Sequence, residues 1–286
     1  MKKILIAGAN SYVGTSVEHW LSQWQDKYSV NTVDMIDGSW RDRSFEAYDA
    51  VFHVAGIAHV SADPSKKGLY YKVNRDLAIE TAQKAKADGT RQFIFMSSMI
   101  VYGGDEPIGA AKIITRGTEP SPADFYGDSK LQADLAIQQL ADDNFTISVM
   151  RPPVIYGPGC KGNFPRLLEL AKKAFVLPAI DNRRSMIYID NFCEFLKQTV
   201  DGECGGVFFP QNDEYVSTKD VIVTARQLMG KSTILLPVPD IALNILSRSN
   251  TFRKAFGSKV YDRDMSEGNY RIVDFRTGLE RILSDA

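Results

Sequence analysis

Tyr126-Gly-Asp-Ser-Lys130 sets a phenol and an ammonium four residues apart, and on a helix that spacing brings both to one face. A free phenol has a pKa of about 10 and is a poor base near neutrality. A lysine charge beside it favours the phenolate and is expected to lower that value. The pair can then take a proton from a carbinol or return one to a ketone oxygen. Taken singly, such a spacing is common by chance and usually marks a solvated helix face. Here it follows Phe93–Met96, an apolar run that ends in Ser97-Ser98. A serine hydroxyl at a strand end can hydrogen-bond the same oxygen that Tyr126 protonates.

A second constellation lies near the start. Gly8-Ala-Asn-Ser-Tyr-Val-Gly14 separates the apolar run Lys3–Ala7 from a helical stretch, Ser16–Trp24. A glycine turn there lets backbone amides and a helix N-terminus meet a pyrophosphate. Asp34 stands twenty residues past Gly14, at the end of the next apolar run. An acid at that separation can bind a ribose 2′-hydroxyl and would repel a 2′-phosphate, which favours NAD over NADP. Dinucleotide turn, serine at a strand end and Tyr/Lys on the following helix together describe hydride transfer between a nicotinamide and an alcohol or ketone.

These residues need a scaffold, and the chain supplies one. Strand-like runs (Lys3–Ala7, Val30–Val33, Ala50–Val54, Gln92–Met96, Thr146–Met150) alternate with helical stretches (Ser16–Trp24, Leu69–Ala87, Tyr126–Ala141). Continuous apolar runs alternating with helices predict a parallel sheet covered on both faces. The expected fold is α/β, a Rossmann-type doubly wound parallel sheet with a smaller C-terminal substrate lobe. Eight of the 12 prolines fall beyond residue 150 and break that part into shorter elements. The expected division is a dinucleotide-binding domain of residues 1–151 with 185–204, and a substrate lobe of 152–184 with 205–286. Met186–Val200 reads as a strand and helix returning to the first domain.

Composition narrows the function classes. The 34 Lys+Arg and 35 Asp+Glu leave a net charge of −1, so nothing demands nucleic acid or an anionic membrane as a partner. The apolar stretch at the start stops at Gly8, short of the roughly 7–15 residues of a signal h-region or the ~20 of a membrane span. Three cysteines without a CxxC pair fit a reduced cytoplasm. His53 and His59 are six apart and His19 is remote, so no metal is expected. His53, within an apolar strand, reads as a core residue.

The residues also resemble a known family. Val51-Phe-His-Val-Ala-Gly56, Asn74, Phe93 through Gly103, Arg151-Pro-Pro-Val-Ile-Tyr-Gly-Pro-Gly159 and Arg184-Ser-Met-Ile-Tyr-Ile-Asp190, with the two constellations above, resemble the extended short-chain dehydrogenase/reductases. The likeness is to the NAD-dependent epimerase/dehydratase family acting on nucleotide sugars, and it runs from about Lys3 to Val200. It implies Ser98 as catalytic serine, Tyr126 as acid/base and Lys130 as the group that tunes Tyr126 and holds the nicotinamide ribose. It implies a dinucleotide lined by Gly8, Ser11, Tyr12, Val13, Gly14 and Asp34, with Ala55, Gly56 and Asn74 nearby. The Pro152–Val154 backbone, Pro153 and Val154 included, would meet the carboxamide. Asn163 and Arg184 would bind the diphosphate of the substrate, alongside Ser98 and Tyr126.

Three departures stand out. Ser11 replaces the middle glycine of the family turn. Met35–Asp49 is compressed and lacks an Asp-hydrophobe pair for adenine. Arg41 and Arg43 in that stretch would suit a 2′-phosphate, which keeps NADP in play. The family's 4,6-dehydratases resemble one another in an Asp-Glu pair where this chain has Met99-Ile100, and its 3,5-epimerase/reductases carry a cysteine at Met99. Neither reaction suits this chain.

Redox chemistry at sugar C4 remains. The chain length and the Gly157–Asn163 loop look more like reductases and epimerases of surface-polysaccharide pathways. The leading expectation is a 4-keto reductase of a UDP-6-deoxy-N-acetylhexosulose. A UDP-hexose or UDP-N-acetylhexosamine 4-epimerase with tightly bound NAD is the alternative, followed by a small-carbonyl reductase and a non-catalytic dinucleotide-binding regulator. The expected partners are a UDP-linked sugar and a second copy, with no nucleic acid and no membrane. In the family, helices equivalent to those carrying Leu69, Val73 and Leu77 and Leu131, Leu135 and Ile137 pair in a homodimer.

Overall fold

Short runs of β-branched and aromatic residues become strands, and the amphipathic stretches between them become helices. The computed structural model describes residues 1–58, 63–104, 111–246, 248–249, 252 and 255–285. It divides into one unit of Met1–Gly103, Glu119–Pro153 and Phe192–Pro210 and another of Gly104–Thr118, Val154–Asn191 and Gln211–Ala286.

The first unit holds β1 (Lys2–Ala7), α1 (Tyr12–Leu21), β2 (Tyr28–Val33), β3 (Ala50–His53), α2 (Leu77–Ala87), β4 (Gln92–Met96), α3 (Phe125–Gln138), β5 (Thr146–Met150), most of α4 (Ile189–Asp201) and β6 (Gly206–Phe208). Its six strands lie in the order β6-β5-β4-β3-β1-β2, all parallel. This is the Rossmann-type doubly wound sheet. The chain leaves β1 toward β2 and then crosses back over β1 to β3, so the strand order reverses between β1 and β3. Ligands of such sheets bind at that reversal, outside the carboxyl ends.

The register aligns those ends. Ala7 pairs with His53, His53 with Phe95, and Met96 with Met150. Gly8, Val54, Ser97 and Arg151 therefore all leave the sheet along one edge. On one face Leu5, Val51, Phe93, Phe95, Ile147 and Val149 pack with Ala78, Ala82 and Ala85 of α2 and Ala133 and Ile137 of α3. On the other, the Gln92 amide donates to the Ser148 hydroxyl at 3.0 Å and to the Thr199 carbonyl of α4 at 3.1 Å.

The crossover from β2 to β3 has no α-helix. Trp40 and Phe45 take its place in the core, fully buried and stacked with ring centroids 6.5 Å apart. A compressed connection can cover the sheet because two large rings fill the volume that a helix would.

The second unit is built from two-stranded parallel pieces: Val154–Tyr156 with Met186–Tyr188, Val176–Pro178 with Ile234–Leu236, and Ala111–Ile114 with Ser258–Tyr261. Helices Asn163–Lys173 and Thr218–Leu228 pack together, and the Arg226 guanidinium donates to the Ala171 carbonyl at 2.8 Å. Tyr156, Phe164, Tyr188 and Phe275 form an aromatic cluster.

Three boundaries differ from the sequence reading. Gly104–Thr118, expected in the first domain, belongs to the second unit, where Ala111–Ile114 pairs with Ser258–Tyr261. Gly206–Phe208, expected in the substrate lobe, is an edge strand of the main sheet. Met186–Tyr188, expected to return to the first domain, pairs in the second unit, and the crossing comes after Asn191. Among the described residues no helix is long and apolar enough to cross a membrane.

Candidate active site

Gly8 ends β1 with φ of +134°, a conformation open to glycine and strained for other residues. A Cβ on Gly8 would lie 2.7 Å from the Ala55 amide nitrogen, so the turns after β1 and β3 touch where the strand order reverses. Ser11 caps α1. Its hydroxyl accepts the Gly14 amide at 3.1 Å and donates to the Gly8 carbonyl at 2.8 Å. A Cβ on Gly14 would meet that hydroxyl oxygen at 2.5 Å. Serine in place of the expected glycine thus tightens the turn, and the Val13 amide keeps no intrahelical acceptor. Bare backbone beside a helix N-terminus fits a dinucleotide's pyrophosphate. Asp34, exposed after β2, accepts the Ile36 amide at 2.7 Å with one carboxylate oxygen.

The loop after β3 is pinned by Asn74. Its side chain accepts the Ile57 amide at 2.8 Å and donates to the Ile57 carbonyl at 3.0 Å. The expected helix Leu69–Ala87 is not uniform: Lys67–Tyr70 and α2 flank a π-helical segment, Tyr71–Asp76, which buries Asn74. Widened turns of this kind cluster at functional sites. A Cβ on Gly56 would lie 3.0 Å from the Asn74 amide oxygen and 3.2 Å from Lys130 Nζ, which gathers Gly56, Asn74 and Lys130 at one point.

Asp124 caps α3 by accepting the Gly127 amide at 2.9 Å, which sets Tyr126 and Lys130 in the first turns. Ser98, the cap of a short helical turn, accepts the Ile100 amide at 3.2 Å and hydrogen-bonds the Tyr126 phenol. Tyr70 packs edge-on to the Tyr126 ring with centroids 5.8 Å apart. Ser98, Tyr126 and Lys130 thus meet at the carboxyl edge of β4.

The electrostatics correct one expectation. Burial pushes the Tyr126 phenol up to about 12, and the Ser98 hydrogen bond only partly opposes it. The lysine does not lower it. Lys130 Nζ donates to the Met96 carbonyl at 2.9 Å and sits 5.0 Å from the Phe95 ring centroid. Burial pulls Lys130 itself down to about 8, against the pull of Asp134. Desolvation is the largest cause of both shifts, with Lys130 buried and Tyr126 half-buried. Tyr126 rests as a neutral phenol, a proton donor first and a base only when another charge arrives.

Residues 4–203 match the family described as NAD dependent epimerase/dehydratase. The chain belongs to this family. It is 30% identical to UDP-glucose 4-epimerase of Vibrio cholerae, across 92% of this chain and 85% of that one. It is 28% identical to N-acetyl-alpha-D-glucosaminyl-diphospho-ditrans,octacis-undecaprenol 4-epimerase of Escherichia coli O157:H7, across 82% and 76%. UDP-glucuronic acid 4-epimerase from Bacillus cereus in complex with NAD shares the fold at a TM-score of 0.75 and 18% identity, over 99% of this chain and 96% of that one.

In this member of the epimerase/dehydratase family, a buried network that the motifs did not announce sits behind the site. Asp134 accepts from Arg151 twice and from the Ser97 hydroxyl at 2.6 Å, and Arg151 Nη1 donates to the Tyr102 hydroxyl at 2.7 Å. The i, i+4 spacing of Lys130 and Asp134 was the available signal. His53 packs against Phe93 and Phe95 and is held neutral near 3, by burial first and the Lys130 charge second.

Of the residues expected in the substrate lobe, Asn163 opens a helix and is exposed. Arg184 is half-buried, with its backbone bridged to Val216 and Lys259. Val154 begins a strand in that unit, while Pro153 ends the preceding segment of the first. Among the described residues no group of three His, Cys, Asp or Glu could hold a metal; His59 lies outside the described residues.

Proposed function

We propose that this protein is an NAD-dependent 4-epimerase of a sugar carried on a diphosphate. The observation that carries the reading is the Tyr126 phenol, hydrogen-bonded to Ser98 and held neutral at the carboxyl edge of β4. Ser98 and Tyr126 would share the sugar O4, with Ser98 orienting it and Tyr126 exchanging its proton. When bound, NAD supplies an acceptor for the C4 hydride and a donor for its return. Gly8, Ser11, Tyr12, Val13 and Gly14 would hold its diphosphate and Asp34 the adenosine ribose. Ala55, Gly56, Asn74 and Lys130 would line the nicotinamide ribose, with Pro153 and Val154 at the carboxamide. The substrate diphosphate would meet Asn163 and Arg184, a guanidinium being suited to two phosphate oxygens at once.

NAD is favoured over NADP. Arg41 Nη2 donates to Glu80 Oε2 at 2.6 Å, and Arg43 is taken by the Thr32 carbonyl and the Tyr48 hydroxyl. Met99 and Ile100 offer no proton-transfer group for elimination. Inversion, rather than a single reduction, is favoured by the 30% identity to a 4-epimerase over most of both chains. The carrier is either UDP or the polyprenyl diphosphate of the Escherichia coli relative, and the assay should offer both.

The test is to denature the purified protein, identify any released dinucleotide, and follow C4 inversion of UDP-linked and polyprenyl-diphosphate-linked hexoses beside Tyr126→Phe. Bound NAD with inversion lost in Tyr126→Phe supports the reading. An empty protein that consumes added NAD(P)H on a 4-keto sugar would replace it with the reductase.

A further inference from the structure

The sheet stops short of the reacting serine. The last rung between β4 and β5 joins Met96 to Met150, so sheet pairing fixes neither Ser97 nor Ser98. The chain bends at once, with the Ser97 amide donating back to the Phe95 carbonyl at 3.1 Å. A side chain holds it there. The Ser97 hydroxyl donates to Asp134 Oδ2 at 2.6 Å, and Ser98 is the next residue. Helix α3 carries both Asp134 and Lys130, and their i, i+4 spacing puts them on one face.

Asp134 is fully buried, and its carboxylate accepts from Ser97, twice from Arg151 at 2.8 Å, and from the Gln138 amide at 2.6 Å. As an ion pair it needs only Arg151. A buried pair of this kind is often replaceable by apolar groups at little cost, so stability alone does not account for a charge here. Its relations to Ser97 and Lys130 are what an apolar pair could not supply.

Lys130 needs such a neighbour. Burial disfavours its charged form, and Asp134 opposes that effect. Among the described residues, the groups packed around it from other elements bring no anion. His53 of β3 is fully buried and neutral. From β4 come the Phe95 ring and the Met96 carbonyl. From the turn after β3 and the π-helical segment come Gly56 and the Asn74 amide. On α3 itself Tyr126 is a neutral phenol, and Arg151, a further cation, is paired with Asp134.

We propose that Asp134 is a positioning residue of this site: through Ser97 it sets where the Ser98 hydroxyl meets Tyr126, and one helical turn away it is the counter-charge of the Lys130 ammonium. This rests on the reading of Ser98, Tyr126 and Lys130 as the reacting set. It adds a residue too deeply buried to touch sugar or dinucleotide.

The experiment titrates Lys130 by NMR in the full chain carrying 13C at lysine Cε, with Lys130→Met assigning the resonance, and measures turnover beside it. The wild-type midpoint should lie near 8. Asp134→Asn should lower it by about one pH unit or more, and the alkaline limb of kcat should move down with it. Arg151→Met, which leaves the carboxylate in place, should not lower it. Ser97→Ala should keep the midpoint and cut kcat by about tenfold or more, with KM little changed. Asp134→Leu/Arg151→Met separates positioning from support of the fold. It should keep most of the stability and still show the lowered midpoint and reduced kcat, and it decides the matter should Asp134→Asn not fold. An unchanged midpoint without Asp134, or an equal fall in Arg151→Met, overturns the proposal. So does wild-type kcat in the double variant or in Ser97→Ala. Should the wild type convert none of the sugars offered, the epimerase reading fails, while the midpoints, which need no substrate, still uphold or overturn the role of Asp134.

Discussion

Arg151 closes on Asp134 through two parallel hydrogen bonds, Nε to Oδ2 and Nη2 to Oδ1, each 2.8 Å, with both side chains buried. The pair ties α3, one turn beyond Lys130, to the chain just after β5, and the Met99 amide donating to the Pro152 carbonyl at 2.9 Å continues the tie to the Ser98 loop. Leaving one buried charge without its partner costs about 3–5 kcal/mol, whereas replacing both by apolar groups is often close to neutral. Asp134→Ala and Arg151→Ala should each lower stability by roughly that amount. Asp134→Leu/Arg151→Met should lose less than either single change. Urea unfolding of the three variants checks this, and additive losses would show that the pair is not a coupled unit.

Tyr126→Phe should cut turnover by about 10²–10⁴ while leaving dinucleotide binding intact, because only the exchangeable proton is removed. Ser98→Ala should fall in the same range, since its hydroxyl positions the same oxygen. Dinucleotide titration followed by fluorescence, beside steady-state turnover, separates the two effects.

Lys130 should govern a pH dependence. The folded protein releases this proton near 8, against 10.5 for an ordinary lysine. Between those values the unfolded chain binds more protons than the folded one, so the contribution of Lys130 to stability rises with pH across the window. The difference in unfolding free energy between the wild type and Lys130→Met should therefore shift in favour of the wild type by about 1–3 kcal/mol from pH 8 to 10. Activity should move the other way and fall above pH 8 as the charge is lost. Denaturant titrations and rate profiles at matched pH values test both directions.

Coenzyme choice should depend on Glu80 as much as on Asp34. Asp34→Ser alone should weaken NAD without gaining NADP, because Arg41 stays bound to Glu80. Asp34→Ser/Glu80→Gln should release the guanidinium and raise the NADP-to-NAD preference by about tenfold or more, the worth of a new charge-assisted pair. Competitive titration with the two coenzymes measures it.

A homodimer through the helices of the first unit should rest on Leu69 and Leu135, each about half exposed. Ile137, expected in that interface, is buried in the core on the sheet-facing side of α3. Leu135→Glu should shift a micromolar dimer to monomer in a sedimentation run with its melting temperature little changed. A monomeric wild type at that concentration would remove the dimer.

The doubly wound sheet, the glycine turn and the Tyr126/Lys130 spacing were legible in the linear order of residues, because each depends on local chemistry, whereas Ser98 was singled out from Ser97 by the family resemblance. An apolar run closed by glycine makes a strand and a turn wherever it occurs, and an i, i+4 pair shares a helix face in any helix. Quantities set by burial were not legible. Spacing put an ammonium beside a phenol, but only the packing of Phe95, Tyr70 and the Met96 carbonyl around them makes desolvation the larger effect and raises Tyr126 instead of lowering it. Ser11 stood out as a departure from the family turn, and only the fold shows its hydroxyl accepting the Gly14 amide. The compressed stretch Met35–Asp49 carries Trp40 and Phe45, and only the fold shows them taking the place of a helix over the sheet. Composition and spacing determined which groups exist and which neighbours share an element; the tertiary structure decided which of them lose water, and so which charges are affordable.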